Sequence, residues 1–151
     1  MKPTVACDFD GTCCEYAFPA CGAPRLNVIE ALRMLRAEGW RIVVHSSRVN
    51  AHWPEDERRL QTAAMMLYLL AHDAPFDDVW GAEFTADGWC YREQDIGKPC
   101  AHVYLDDRNL WDRPDATAEE IAAACRALYR RAEREYQQGM LHTDKEAGTW
   151  Q

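Results

Sequence analysis

Apolar and polar positions along the chain fall into two kinds of block. Short apolar runs of strand length begin at Val5, at residue 42 in "WRIVVHSSR", and at Val103 in "AHVYLDD". Between them lie longer segments whose apolar residues recur at helical spacing. In "NVIEALRMLRAEG", Val28, Leu32 and Leu35 share one face. Asn27 is the expected N-cap there, Glu30 completes a capping box, and Gly39 is the stop. "PEDERRLQTAAMMLYLLAHDAP" predicts a longer helix, opened by Pro54 and an acidic first turn, with Met65, Met66, Leu69 and Leu70 in the core. Thr117 and Glu120 form a second capping box, for a helix running to about Gln138 with Ile121, Cys125, Leu128 and Ala132 along one stripe. A short strand is expected around Val79 and Trp80. Residues 82–98 carry no clear period and are expected to be irregular. The Pro- and Gly-rich "EYAFPACGAPRL" is expected to be a loop or flap.

Strands separated by helices predict an α/β domain with a central parallel sheet joined by right-handed crossovers. At 151 residues a single domain with a real core is expected. No apolar run approaches membrane-spanning length, and the first residues lack the profile of a secretory signal, so a soluble cytoplasmic protein is expected. The seven cysteines are odd in number and scattered, which fits reduced thiols in an intracellular protein. Cys90, Cys100 and His102 form only a weak zinc set, without a CxxC pair. A net charge of −8 argues against a broad nucleic-acid surface but leaves room for a small basic pocket.

In open sheets of this type ligands sit beyond the carboxyl ends of the strands. Here those ends read Asp8 and Asp10, then Ser46, Ser47 and Arg48, then Asp106 and Asp107. Asp8 and Asp10 lie two residues apart and should leave the strand on one side, where like charges repel unless a cation or a shared task holds them. Four carboxylates with hydroxyls, arginines and Lys98 suggest a Mg²⁺ site that handles phosphate, because Mg²⁺ prefers hard oxygen ligands. An ionised Asp8 could attack phosphorus, opposed by roughly 4 kcal/mol of repulsion from one phosphate charge near a protein surface. Mg²⁺ and a lysine would remove that penalty, and Asp10 would give the leaving alkoxide its proton. Two other phosphate chemistries fail. Cys125 and Arg131 have cysteine-phosphatase spacing, but inside a helical segment whose N–H groups are already used. "GKP" lacks both the spacing and the hydroxyl of a P-loop.

"DFDGT", the strand-terminal Ser46, Lys98 and "LDD", in that order, resemble the four motifs of the haloacid dehalogenase superfamily. The resemblance covers about residues 4–110. It implies a Rossmann-like fold and an aspartyl-phosphate phosphatase. Asp8 would be its nucleophile, Asp10 its general acid/base, Ser46 the second-motif hydroxyl (with Ser47 the alternative) and Lys98 the third-motif lysine. By the same resemblance Asp8, the Asp10 backbone carbonyl and one of Asp106 and Asp107 hold Mg²⁺, with Asp107 favoured. Gly11, Thr12, Ser47, Arg48 and Arg108 are then the candidate substrate contacts. The run from "FPACGAP" to "LDDRN" is similar to compact superfamily members with little or no cap. "SSR" and "LDDR" are also similar to the 3′-phosphatase domain of phage-type polynucleotide kinases, in which arginines like Arg48 and Arg108 would grip phosphate.

A nucleic-acid 3′-phosphatase or nucleotidase is the alternative enzyme. A non-catalytic phosphate- or partner-binding protein is the alternative from another class. Residues 15–26 and 49–54 are too short for a separate cap domain, so the strand ends should stay open to a large leaving group such as a nucleotide or oligonucleotide end. Trp53 and Trp89 are candidate stacking rings. His45, His52 and Tyr16 are further candidates for a pocket wall, although each also fits ordinary packing. The 117–138 helix matches none of the motifs, and its apolar stripe should pack either on the domain or on a second copy of the chain.

Overall fold

The apolar run at the start of the chain becomes β1 (Thr4–Asp8), buried along its length until Asp8. The structure, a computed structural model, describes residues 2–107 and 113–147, without the side chains of Phe84 and residues 140–147. Strand β1 lies between β2 (Arg41–His45) and β6 (Val103–Leu105) and pairs parallel with both. β3 (Asp78–Val79) adds in parallel on the far side of β2. β4 (Ala82–Thr85) and β5 (Gly88–Tyr91) complete a six-stranded sheet in the order β5-β4-β3-β2-β1-β6.

This sheet is mixed, not parallel throughout. β4 runs antiparallel to β3, and β5 antiparallel to β4. Residues 82–98, expected to be irregular, thus contain a hairpin. The chain reverses after β3 at Gly81, whose φ of +87° is readily adopted only by glycine. Thr85 pairs with Gly88, so Ala86 and Asp87 form a two-residue turn. Four-residue strands are too short to show a period.

Among the described residues three α-helices flank the sheet. α1 (Leu26–Ala37) buries Val28, Ile29, Ala31, Leu32 and Leu35, and it ends before Gly39 at φ +89° as expected. Its N-cap is Arg25, with no side-chain cap, so the expected capping box at Asn27 and Glu30 does not form. Asn27 instead ties α1 to a distant segment: its Nδ2 donates to the Ala116 carbonyl at 2.8 Å, while Oδ1 accepts from the Val28 N–H. α2 (Glu55–Ala71) follows Pro54 as expected and buries Met65, Met66 and Leu69, but Leu70 faces solvent.

α3 (Ala118–Ala147) starts at the expected box, with the Glu120 N–H donating to Thr117 Oγ1 and the Thr117 N–H to Glu120 Oε2. It continues past residue 138. Ile121, Ala122 and Cys125 are buried and Tyr129 packs edge-on against Trp40, so this helix seals the domain against α1. Leu128 is half exposed and does not belong to the stripe, because steps of four carry the contact from 121 through 125 to 129. Among the described residues no helix is long and apolar enough to cross a membrane.

Candidate active site

Strand register brings the polar strand ends together. Asp8 pairs with His45 across β1 and β2, and Cys7 pairs with Leu105 across β1 and β6, so Asp106 follows at the level of Asp8. Ser46 leaves β2 one residue beyond His45. After β1 the chain turns sharply: the Phe9 carbonyl accepts from the N–H groups of Thr12, Cys13 and Cys14 at 3.2, 3.0 and 3.4 Å. Gly11 sits in that turn at φ +80°, and a Cβ there would stand 3.3 Å from Asp107 Cβ. The ends of β1 and β6 are therefore in contact at Gly11, where both conformation and space favour glycine.

Asp8 is half-buried beside other carboxylates. Burial raises its carboxyl to about 7, opposed by a hydrogen bond from the Phe9 backbone and reinforced by the charges of Asp107, Asp10 and Asp106. Asp10 is balanced differently. Arg48 Nε donates to Asp10 Oδ2 at 2.8 Å and Nη2 to Oδ1 at 2.7 Å, a bidentate pair. The Arg48 side chain is 0% exposed. Its remaining bonds run to the carbonyls of Pro19 and Ala20 at 3.0 and 2.9 Å, and its guanidinium lies near the rings of Phe9 and Phe18. The expectation that Arg48 grips substrate phosphate is at odds with this placement. A fully buried guanidinium committed to Asp10 presents nothing to solvent.

Arg48 belongs to a single 3-10 turn (Ser47–Val49) whose N-cap is Ser46, and Ser46 Oγ accepts from the Arg48 N–H at 3.2 Å. The segment 13–25 folds over the same region as a flap. Glu15 N–H donates to the Ala23 carbonyl and Arg25 N–H to the Cys13 carbonyl, at 2.8 and 2.9 Å. The flap is held down by Arg48, by Arg25 Nη1 on the Gly11 carbonyl, and by the Tyr68 hydroxyl on the Gly22 carbonyl. Gly22 is required there for space, since a Cβ would lie 2.1 Å from the Glu15 carbonyl oxygen.

The other expected residues are distributed around this edge. Lys98 is exposed in the β5–β6 connection, with its ammonium 5.5 Å from the Tyr104 ring centroid and no salt bridge among the described residues. Burial and the Lys98 charge lower the His45 pKa, with Asp106 opposing. Thr12 is fully buried, and its hydroxyl has no partner among the described residues. Ser47 is exposed, and its carbonyl accepts from Trp53 Nε1. Asp106 and Asp107 are half-buried. Arg108 lies outside the described residues.

His45, Ser46, Ser47, His52 and Lys98 border a cleft of about 550 Å³ whose other wall, built by Trp80, Arg92, Glu93, Asp95, Ile96 and Gly97, was not anticipated from the sequence. Its place depends on the hairpin. Trp89 lines a different hollow and Tyr16 is largely exposed. Among the described residues no group of three or more His, Cys, Asp or Glu side chains is already arranged around a metal position. The donor types at the Asp8 edge nevertheless suit a hard divalent cation, and the crowded charge that disfavours Asp8 ionisation is of the sign a cation relieves.

No protein-family model matches the chain, and no curated protein matches it. Two solved structures are similar. One is a conserved protein from Bacteroides thetaiotaomicron, 23% identical, with a TM-score of 0.54 over 89% of this chain and 93% of that one. The other is a target protein from Vibrio cholerae, 22% identical, with a TM-score of 0.48 over 87% and 98% of the two chains. The first likeness is one of fold alone: an α/β domain compatible with a Rossmann-like arrangement.

Proposed function

We propose that this protein is a phosphomonoester hydrolase of the haloacid dehalogenase type, with Asp8 as nucleophile. The observation that carries the reading is the convergence of three strand ends. Asp8 at the end of β1, Ser46 beyond β2 and Asp106-Asp107 beyond β6 meet at one edge, and Lys98, without a salt bridge among the described residues, lines the same cleft as Ser46. One Asp8 oxygen would form a bond to phosphorus as the alkoxide leaves, and water would then hydrolyse the aspartyl phosphate. For Asp10 to give the leaving group its proton and take one from that water, one of its oxygens would have to release Arg48 and carry that proton. Arg48 is a positioning residue here: its bidentate grip fixes the plane of the Asp10 carboxylate and ties it to the flap.

The carboxylates of Asp8 and Asp107 and the Asp10 backbone carbonyl would hold Mg²⁺, with Asp106 beside them, because the Asp10 side chain is committed to Arg48. When bound, the cation supplies charge neutralisation at the attacking carboxylate and the phosphate. Lys98 and the Ser46 hydroxyl would orient the phosphate. Seven free thiols support a reducing, cytoplasmic setting.

The test is turnover of p-nitrophenyl phosphate with Mg²⁺, with chelator, and by Asp8→Asn. Turnover that needs Mg²⁺ and vanishes in the variant is expected. An Asp8→Asn rate above about one tenth of the parent would remove Asp8 as nucleophile. A parent that binds inorganic phosphate but turns nothing over would favour a binding role.

A further inference from the structure

We propose that the cleft between the 3-10 turn and residues 92–98 is a subsite for one nucleobase, which makes a nucleoside monophosphate the substrate. The proposal rests on the phosphatase reading for where the phosphate lies, and on the cleft itself for the rest. At about 550 Å³ the cleft falls within the roughly 300–1,000 Å³ usual for small-molecule sites, room for one nucleoside and not for a strand.

Its rings are fixed in place. His52, which lines the cleft, packs on Trp53, a ring outside the lining, with centroids 4.8 Å apart. Trp53 Nε1 is held by the Ser47 carbonyl and Trp80 Nε1 by the Gly97 carbonyl, both at 2.9 Å. With its N–H group spent, the Trp80 indole presents apolar surface to the cleft in a set orientation. Ile96 on the Trp80 side is 83% exposed, an apolar side chain left open to a ligand. A sugar phosphate would leave these groups uncovered, whereas a planar base covers them.

Charge narrows the class further. Arg58 is spent on the Val49 carbonyl and Glu93, and Arg92 on Asp78, Asp95 and the Val79 carbonyl. Among the cations lining the cleft, Lys98 alone lacks a carboxylate partner among the described residues, and it shares the lining with His45 and Ser46 of the strand-end side. One free cation and fixed rings in the same cleft suit a single phosphate on a base-bearing leaving group. A polyanion would meet a chain of net charge −8 with little to neutralise it.

The experiment titrates adenosine, which carries no phosphate, into the full chain and into His52→Ala and Ile96→Asp, with binding read by calorimetry. Both positions are exposed, and equal thermal unfolding of the variants checks the fold. Adenosine is expected to bind, and each substitution to weaken it at least about fivefold. Turnover should show the same split: kcat/KM for AMP should fall in His52→Ala, while that for ribose 5-phosphate stays unchanged. No adenosine binding, or equal binding by both variants, would overturn the proposal. So would a clear preference for a 3′-phosphorylated oligonucleotide over AMP. Adenosine binding decides the cleft whatever Asp8→Asn does to turnover, so the two readings fail separately.

Discussion

Replacing Asp8 by asparagine should stabilise the metal-free protein while abolishing its turnover. In the native state the carboxyl is raised from 3.8 to about 7, chiefly by burial and then by the neighbouring aspartates. The native form therefore holds this proton more tightly than the unfolded chain does. As pH rises from about 4 to about 7, the unfolded chain releases the proton first, so this group lowers stability across that window and holds it down above it. At about 1.4 kcal/mol per pH unit the full displacement is worth up to ~4 kcal/mol. Asp8 keeps some contact with water, so about half of that, ~2 kcal/mol, is the expected gain in Asp8→Asn at pH 8. For a chain of this size that corresponds to ~4–8 °C in Tm. The assay is thermal unfolding of parent and variant in chelator from pH 4 to 8. Their difference should be near zero at pH 4, grow through pH 5–7 and level off. Added Mg²⁺ should raise the parent more than the variant, because the cation offsets the charge that only the parent carries. A difference that is flat with pH, or an Asp8→Asn protein less stable than the parent at pH 8, would refute the reasoning.

Three other perturbations test the surrounding architecture. Arg48→Met leaves Asp10 buried without its partner and should cost about 3–5 kcal/mol in urea unfolding; a loss below about 1 kcal/mol would mean the clamp is not formed. Gly22→Ala places a Cβ against the Glu15 carbonyl, so the flap should lift and residues 15–25 become sensitive to protease; an unchanged digestion pattern would contradict the packing described. Ile121→Ala should cost about 2–5 kcal/mol by opening the α1–α3 seam. A chain ending at residue 115 should fail to fold while one ending at 138 folds, and a soluble, monomeric, active 115-residue chain would show that α3 is dispensable.

Local sequence determined what local physics controls. The apolar run before Asp8, the Pro54 start of α2, the Gly39 stop of α1 and the Thr117–Glu120 box depend on residues within one or two turns of each other, and each is found where its signals stand. The placement of polar residues beyond the ends of β1, β2 and β6 was legible for the same reason, because parallel strands share a direction. Register was not legible in local signals. That Asp8 lies level with His45 follows from pairing across some 37 residues, and it decides which groups crowd its carboxyl. Asn27 looked like a cap because its neighbours allow one, yet a carbonyl 89 residues away claims its side chain. For Arg48 a grip on phosphate was what the resemblance of "SSR" to the 3′-phosphatase domains implied. Only the tertiary structure could turn it inward, where Asp10 and two flap carbonyls saturate a guanidinium that burial would otherwise penalise. The β4–β5 hairpin lay below the length at which alternation becomes readable. With it went the second wall of the cleft, which exists only once an antiparallel pair is added to the edge of a parallel sheet.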